Sequence, residues 1–103
     1  MKIVGVTACP SGVAHTYMAA DAIKKAGVKY GIETHVETQG SVGTENALTA
    51  EQIAEADVVV LTNDIGIKGE ERFAGKPIVR MKAGQYIAKA GSIVKTLKEK
   101  FDK

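Results

Sequence analysis

The sequence predicts an α/β fold of three layers, in which a four-stranded parallel sheet of order 2-1-3-4 has helices on both faces, as in doubly wound, Rossmann-like domains. Two observations lead to this prediction. Short runs of β-branched residues alternate with longer segments of helical periodicity. The segment Asp57–Leu61 is almost wholly apolar, which is typical of a parallel strand covered on both faces. With right-handed crossovers, the favoured order places the topological switch point between the first and third strands.

The first half of the chain predicts two strands around one helix. The first strand is about Lys2–Thr7, and a helix follows from about His15 to Ala26. Glu33–Thr38 alternates polar residues around Val36, as an edge strand would. The segment from Gln39 to Gly43 then predicts a flexible loop. The helix has a buried stripe at helical spacing, formed by Ala19, Ala22, Ile23 and Ala26.

The second half repeats the pattern. Thr49 and Gln52 have the spacing of a capping box, so a second helix is expected to begin there, before the third strand. Asn63–Phe73 is a loop with helical potential, and Ile78–Met81 is the fourth strand. The last helix is about Gln85–Phe101, with an apolar stripe of Ile87, Ala90, Val94, Leu97 and Phe101.

Length and composition predict one domain over residues 1–103. The chain is 45% hydrophobic and 25% charged, as in an ordinary globular protein. No apolar stretch approaches the roughly 20 residues of a membrane span, and no signal-peptide pattern opens the sequence, so we expect no direct membrane insertion. A single cysteine fits a reducing cytoplasm and excludes both an internal disulfide and a zinc site of paired cysteines.

Charge is distributed unevenly along the chain. Residues 1–63 have four Lys and seven Asp or Glu, a net charge of −3, whereas residues 64–103 have ten Lys or Arg and five Asp or Glu, a net charge of +5. The basic charges are spaced along a predicted helix without interleaved aromatic residues, which argues against nucleic-acid binding. Contact with an acidic protein partner is a better explanation of the basic charge of residues 64–103 than nucleic-acid binding is.

The main candidate for chemistry is Cys9, which follows the first strand and precedes a small-residue loop and a helix. Amide groups of such a loop and of a first helical turn lack intrahelical partners, and the helix dipole adds positive charge there. A thiol at this place should have a pKa below the roughly 8.5 of a free cysteine, and the same amides would hold a phosphoryl group on sulfur. The alternative, a buried structural thiol, is disfavoured by the position at the carboxyl end of a parallel strand.

Three kinds of chemistry compete for this loop. A low-molecular-weight tyrosine phosphatase has Cys, five residues and then Arg, whereas this chain has His15 at that place and no convincing Asp-Pro to act as general acid. A dinucleotide or flavodoxin-like binder would need close-approach glycines where Cys9 and Pro10 stand. A phosphoryl carrier fits best, because a thiolate leaves without protonation and backbone amides suffice to hold the group.

Four segments carry a resemblance to a known family: VTACPSGVAHTYMAA, VETQGSVGTEN, the run from LTAEQI to ADVVVL, and DIGIKGEERFAGKPIVR. Over residues 2 to about 82 the chain resembles the fructose-family enzyme IIB component of the bacterial phosphoenolpyruvate-dependent sugar phosphotransferase system, and its IGIK-x-EERF segment resembles stand-alone fructose-like members. The resemblance implies a single fructose-type IIB domain with no fused IIA or IIC sequence. The helix beyond Met81 matches less specifically.

The resemblance also implies a function. Cys9 would accept a phosphoryl group from a phosphohistidine of enzyme IIA and pass it to a sugar, fructose or a fructose-like one, entering through the membrane enzyme IIC. Neither a cofactor nor a metal is expected, and the protein would be cytoplasmic, meeting the membrane through IIC. The implied phosphate-binding loop consists of Pro10, Ser11, Gly12, Val13, Ala14, His15 and Thr16.

Polar residues near the same sheet edge have more than one interpretation. His15 either hydrogen-bonds the phosphoryl group or faces solvent from the first helical turn. We expect His35 to be solvated on the polar side of its strand. Three residues near the end of the second strand have two interpretations, since they either line the site or only shape a loop: Glu37, Gln39 and Gly40. The last group is expected to be mainly a solvated segment, with contact to a partner protein as an open alternative: Asp64, Glu70, Glu71 and Arg72.

Overall fold

The computed structural model describes residues 2–8, 13–40, 43–64 and 66–101. The elements in these ranges are, in order, β1 (Lys2–Thr7), α1 (Val13–Lys29), β2 (Glu33–Gly40), β3 (Gly43–Glu45), α2 (Ala50–Glu55), β4 (Val58–Thr62), a 3₁₀ helix (Glu70–Phe73), β5 (Ile78–Met81) and α3 (Ala83–Phe101). Within these ranges, none of the helices combines the length and the apolar character needed to cross a bilayer.

The strands form one mixed sheet of five, in the order β3-β2-β1-β4-β5. β1 lies between β2 and β4, and all pairs among β2, β1, β4 and β5 are parallel. The α/β class is therefore confirmed, and the four parallel strands have the predicted mutual order. The prediction of a four-stranded, wholly parallel sheet is wrong, because β3 adds an antiparallel strand to the outer side of β2.

The extra strand arises where the sequence predicted a flexible loop. β2 continues to Gly40, which pairs with Gly43 of β3, and Thr38 pairs with Glu45. All three residues of β3 are exposed, so this strand has no apolar alternation that would distinguish it from a loop. Gly43 has a φ of 101°, a conformation that favours glycine, and this φ marks the start of the returning strand.

Apolar side chains cover the sheet on both faces, as expected of a doubly wound unit. Strand residues alternate between the faces: Ile3 packs with α1 and α3, whereas Val4 and Val6 pack with α2 and the 3₁₀ helix. Gly5 allows β1 and β4 to approach closely, since a Cβ there would lie 2.7 Å from Val60 Cγ2 and 2.9 Å from the Val60 carbonyl oxygen.

The last helix differs in detail from its prediction. It begins at Ala83, two residues early, and is kinked at Lys89, where φ is −131° and ψ is 22°. Near the start of the helix, the side chain of Tyr86 is buried in the core. Its hydroxyl donates a hydrogen bond to the Leu61 carbonyl at 2.8 Å. Burial raises the pKa of Tyr86 far above its ordinary value. The predicted stripe holds: Ala90, Val94 and Leu97 are buried, with Ile87 and Phe101 packed beside them.

Candidate functional site

The candidate site lies at the carboxyl edge of the sheet, between the end of β1 and the start of α1. The predicted nucleophile Cys9 and the loop residues Pro10, Ser11 and Gly12 lie outside the described residues. The other predicted loop residues (Val13, Ala14, His15 and Thr16) are helical, because α1 begins two residues before the predicted start. The amides of this first turn have no intrahelical acceptors, so they are the donors that an anion would use.

Thr62, the last residue of β4, fixes the chain just before Cys9. Its hydroxyl oxygen accepts from the Ala8 amide at 2.8 Å and donates to the Ala8 carbonyl at 2.9 Å. Ala8 and Thr62 are both buried, so these two bonds satisfy backbone groups that water cannot reach. The residue before Cys9 is thereby held to the end of β4.

A buried hydrogen bond also joins the end of β1 to the first turn of α1. The Thr7 hydroxyl donates to the Thr16 carbonyl at 3.0 Å, and both residues are buried. Ala14 and His15 are exposed on the same turn. The exposed place of His15 agrees with the solvent-facing interpretation, and a hydrogen bond from His15 to a phosphoryl group stays a prediction.

The first turn of α1 is also tied to the edge of the sheet. The Tyr17 hydroxyl donates to Glu45 of β3. The antiparallel strand absent from the prediction therefore contacts the helix that begins the candidate site.

Glu37 is a buried carboxylate on β2, and its side chain is 1% exposed. Arg72 donates to it twice, Nη1 to Oε1 at 2.9 Å and Nη2 to Oε2 at 3.1 Å. Gln39 Nε2 donates to Oε2 at 2.9 Å, and the Leu48 amide donates to Oε1 at 3.0 Å. Burial alone would raise the pKa of Glu37, but these hydrogen bonds outweigh it, and the pKa lies below the ordinary value.

Gln39 extends this network to the loop after β4. Its Nε2 donates to the Lys68 carbonyl at 2.9 Å, and its Oε1 accepts from the Lys68 amide at 2.9 Å. Glu37 and Gln39 thus hold the segment 66–73 against the sheet, as the loop-shaping interpretation predicts. A role of these residues in lining the site stays a prediction. Gly40 is the last residue of β2 and pairs with β3.

The prediction of a solvated segment is wrong for two of its four residues. Arg72 binds Glu37, and Asp64 Oδ2 accepts from the Ala83 amide at 2.7 Å, which caps α3. Glu71 is exposed as predicted, and Glu70 accepts from Arg80 Nη2 at 2.7 Å at the surface. The alternating polar pattern of Glu33–Thr38, which predicted an edge strand, did not distinguish the buried Glu37 from its exposed neighbours.

His35 is only partly solvated, contrary to the prediction. Its Nε2 lies 3.2 Å from Glu33 Oε2, and its Nδ1 lies 3.3 Å from Gln52 Nε2. These contacts lie at the opposite end of β2 from Gly40. Among the residues that the structure describes, no group of three or more His, Cys, Asp or Glu side chains is placed to hold a metal ion.

Known proteins share this fold and much of this sequence. The chain is 61% identical over 93 residues to the PTS system fructose-like EIIB component 2 of Escherichia coli K12, a match that covers 90% of this chain and 88% of that protein. It is 46% identical over 94 residues to the fructose-specific EIIB'BC component of Rhodobacter capsulatus, covering 91% of this chain but 16% of that protein.

Solved structures give the same result. A domain of the fructose-specific IIABC component of Borrelia burgdorferi superposes with a TM-score of 0.86 at 50% identity, covering 91% of this chain and 89% of that one. The enzyme IIB subunit of a PTS system from E. coli K12 superposes with a TM-score of 0.90 at 37% identity, covering 96% of this chain and 92% of that one.

The sequence model of the family described as "PTS system, Lactose/Cellobiose specific IIB subunit" matches residues 4–96. The chain therefore belongs to the PTS IIB family, whose members carry phosphoryl groups in sugar transport.

Proposed function

We propose that this IIB component carries the phosphoryl group on Cys9. The Cys9 thiolate attacks the phosphorus of a phosphohistidine, so that a P–S bond forms and the P–N bond breaks, leaving a neutral imidazole once a proton is taken up. A sugar hydroxyl then attacks the phosphorus, the P–S bond breaks and the thiolate is regenerated. The sugar hydroxyl proton goes to solvent or to a base on the partner.

The observation that carries this proposal is the fixed frame on both sides of Cys9. Thr62 holds Ala8 through two hydrogen bonds, and Thr7 holds the first turn of α1 through the Thr16 carbonyl. In the sequence, Cys9 lies between these anchors, four residues before the first residue of a helix of 17 residues. Such a helix end favours a thiolate and then the oxygens of a phosphoryl group.

The donor in this scheme is enzyme IIA, and the acceptor sugar enters through the membrane enzyme IIC. Because the transfer takes place at the cytoplasmic face of IIC, the proposed location of this chain is the cytoplasm. The sugar is proposed to be fructose or a fructose-like one, because the relative that is 61% identical is named a fructose-like component. The lactose and cellobiose in the family's description suit this chain less well than the fructose-specific names of its relatives.

A reconstituted transfer assay tests the carrier function. With phosphorylated IIA and membranes that contain the cognate IIC, catalytic amounts of the chain should support sugar phosphorylation, and Cys9→Ser should not. With an aryl phosphate alone, turnover should be almost absent, because His15 stands where a phosphatase has the arginine fork. Strong aryl phosphatase turnover that Cys9→Ser abolishes would instead establish a hydrolase.

A further inference from the structure

Two buried hydroxyl groups lie at the carboxyl edge of the sheet, on Thr16 and Thr38. The side-chain oxygens of Thr16 and Thr38 make no hydrogen bond with any residue that the structure describes. Thr16 is 1% exposed and Thr38 is 3% exposed, so bulk solvent does not satisfy them either. A buried hydroxyl without a partner is destabilising, and native proteins rarely leave such groups unpaired without a functional reason.

The two residues lie on the same side of the sheet and at the same edge. Thr38 pairs in register with Thr7, whose hydroxyl reaches the Thr16 carbonyl. Thr38 is two residues after Val36, which packs in the core beneath α1, so both side chains face that helix. Thr16 belongs to the first turn of α1. One hydroxyl therefore comes from the helix and the other from the sheet, at the edge where Thr7 contacts α1.

We propose that Thr38, together with Thr16, donates a hydroxyl hydrogen bond to a phosphoryl-type oxyanion held at the Cys9 loop. The proposal deepens the proposed function, on which it rests, by adding a residue of β2 to a site otherwise formed by one continuous segment. Both hydroxyls are donors, and the oxyanion offers several acceptor lone pairs. The anion supplies the partner that neither hydroxyl finds within the described ranges.

This arrangement explains why threonine stands at a place where valine would pack as well. Valine has the shape of threonine without the hydroxyl, and β2 residues at this position are buried. In the free protein, valine at position 38 would remove a buried hydroxyl that makes no hydrogen bond to the part of the chain that the structure describes. Threonine is therefore a residue that weakens the free state and strengthens the anion-bound state.

The test compares Thr38→Val with Thr34→Val. Thr34 lies on the same strand and face, four residues earlier and away from the Cys9 edge. Thr38→Val should raise the midpoint of thermal unfolding of the free protein, by about 4 °C for each kcal/mol recovered. The same variant should lower the equilibrium constant for phosphoryl exchange with phosphorylated IIA by about tenfold, as expected for a hydrogen bond to a charged group. Thr38→Ser should recover the exchange, and Thr34→Val should leave it unchanged.

A second probe separates this proposal from the carrier function. Sodium phosphate, titrated at constant ionic strength, should raise the unfolding midpoint of the wild-type protein and of Thr34→Val more than that of Thr38→Val. Equal exchange constants in wild type and Thr38→Val would overturn the Thr38 proposal and leave the carrier intact. A lower midpoint for free Thr38→Val would also overturn it, because the hydroxyl would then have a partner without the anion. If wild type accepts no phosphoryl group but phosphate stabilises it through Thr38, the carrier function fails and the anion site stands.

Discussion

The guanidinium of Arg72 meets the buried carboxylate of Glu37 through two hydrogen bonds of 2.9 and 3.1 Å. The pair joins β2 to the 3₁₀ helix, 35 residues later in the chain. It lies one register position from Thr38, and Glu37 itself pairs with Val6 of β1. A buried ion pair at this place fixes the loop after β4 relative to the strands that carry the candidate site.

Glu37→Gln should destabilise the protein by about 2 kcal/mol, because it leaves the half-buried guanidinium of Arg72 without its anionic partner. Urea denaturation measures the free energy of unfolding. The matched control is Glu70→Gln, which breaks the exposed Glu70–Arg80 pair and should change that free energy by less than about 0.5 kcal/mol. Equal effects of the two substitutions would contradict the assigned importance of the buried pair.

The same pair predicts a pH dependence. The pKa of Glu37 lies below its unfolded value of 4.5, since the hydrogen bonds from Arg72, Gln39 and the Leu48 amide outweigh the effect of burial. A carboxyl group with a depressed pKa stabilises the fold above the unfolded pKa, and this stabilisation is lost as pH falls through the folded pKa. Wild type should therefore lose stability below pH 4.5 more steeply than Glu37→Gln does. Parallel stability curves for the two proteins would refute this.

Thr62→Val should destabilise the protein by about 2 kcal/mol or more, because the Ala8 amide and carbonyl both lose their partner in a buried place. Phosphoryl transfer should fall as well, since Ala8 directly precedes Cys9. Thr62→Ser keeps the hydroxyl and should retain most of the stability and the transfer. Thermal unfolding and the exchange assay with phosphorylated IIA measure the two effects. A Thr62→Val protein with wild-type transfer would show that this anchor does not position Cys9.

Gly5→Ala should destabilise the protein by about 2 kcal/mol through overpacking between β1 and β4. The new methyl would lie 2.9 Å from the backbone carbonyl of Val60, which cannot move without disturbing the sheet. Gly91→Ala on α3 is the control, because no atom lies within 4 Å of a Cβ there, and it should stabilise the protein by about 0.5 kcal/mol. Chemical denaturation of both variants distinguishes the two outcomes, and a neutral Gly5→Ala would refute the close approach.

Much of the fold was predictable because burial leaves a periodic pattern. Ile78–Met81 has the predicted bounds, and Thr49 with Gln52 forms the predicted capping box. β3 was not predictable, since all three of its residues are exposed and show no apolar alternation. Tyr86 was missed because its phenol ring packs in the core while its hydroxyl satisfies a β4 carbonyl.

The site was predictable only where it follows the chain locally. The segment from Cys9 to Thr16 is continuous, so its strand-loop-helix context could be recognised from sequence. The partnership of Glu37 with Arg72 and the anchoring of Ala8 by Thr62 join residues that are far apart in sequence. The tertiary fold brings these residues together, and the local patterns of one sequence do not show which distant residues meet.

The most direct test of the central claim is to map the phosphoryl group after transfer from phosphorylated IIA. Mass spectrometry under conditions that preserve thiophosphate esters should place one phosphoryl group on Cys9, and Cys9→Ser and Cys9→Ala should take up none while remaining folded. Wild-type labelling of Cys9→Ala, or a phosphoryl group found on His15 or His35 in the native protein, would contradict the account.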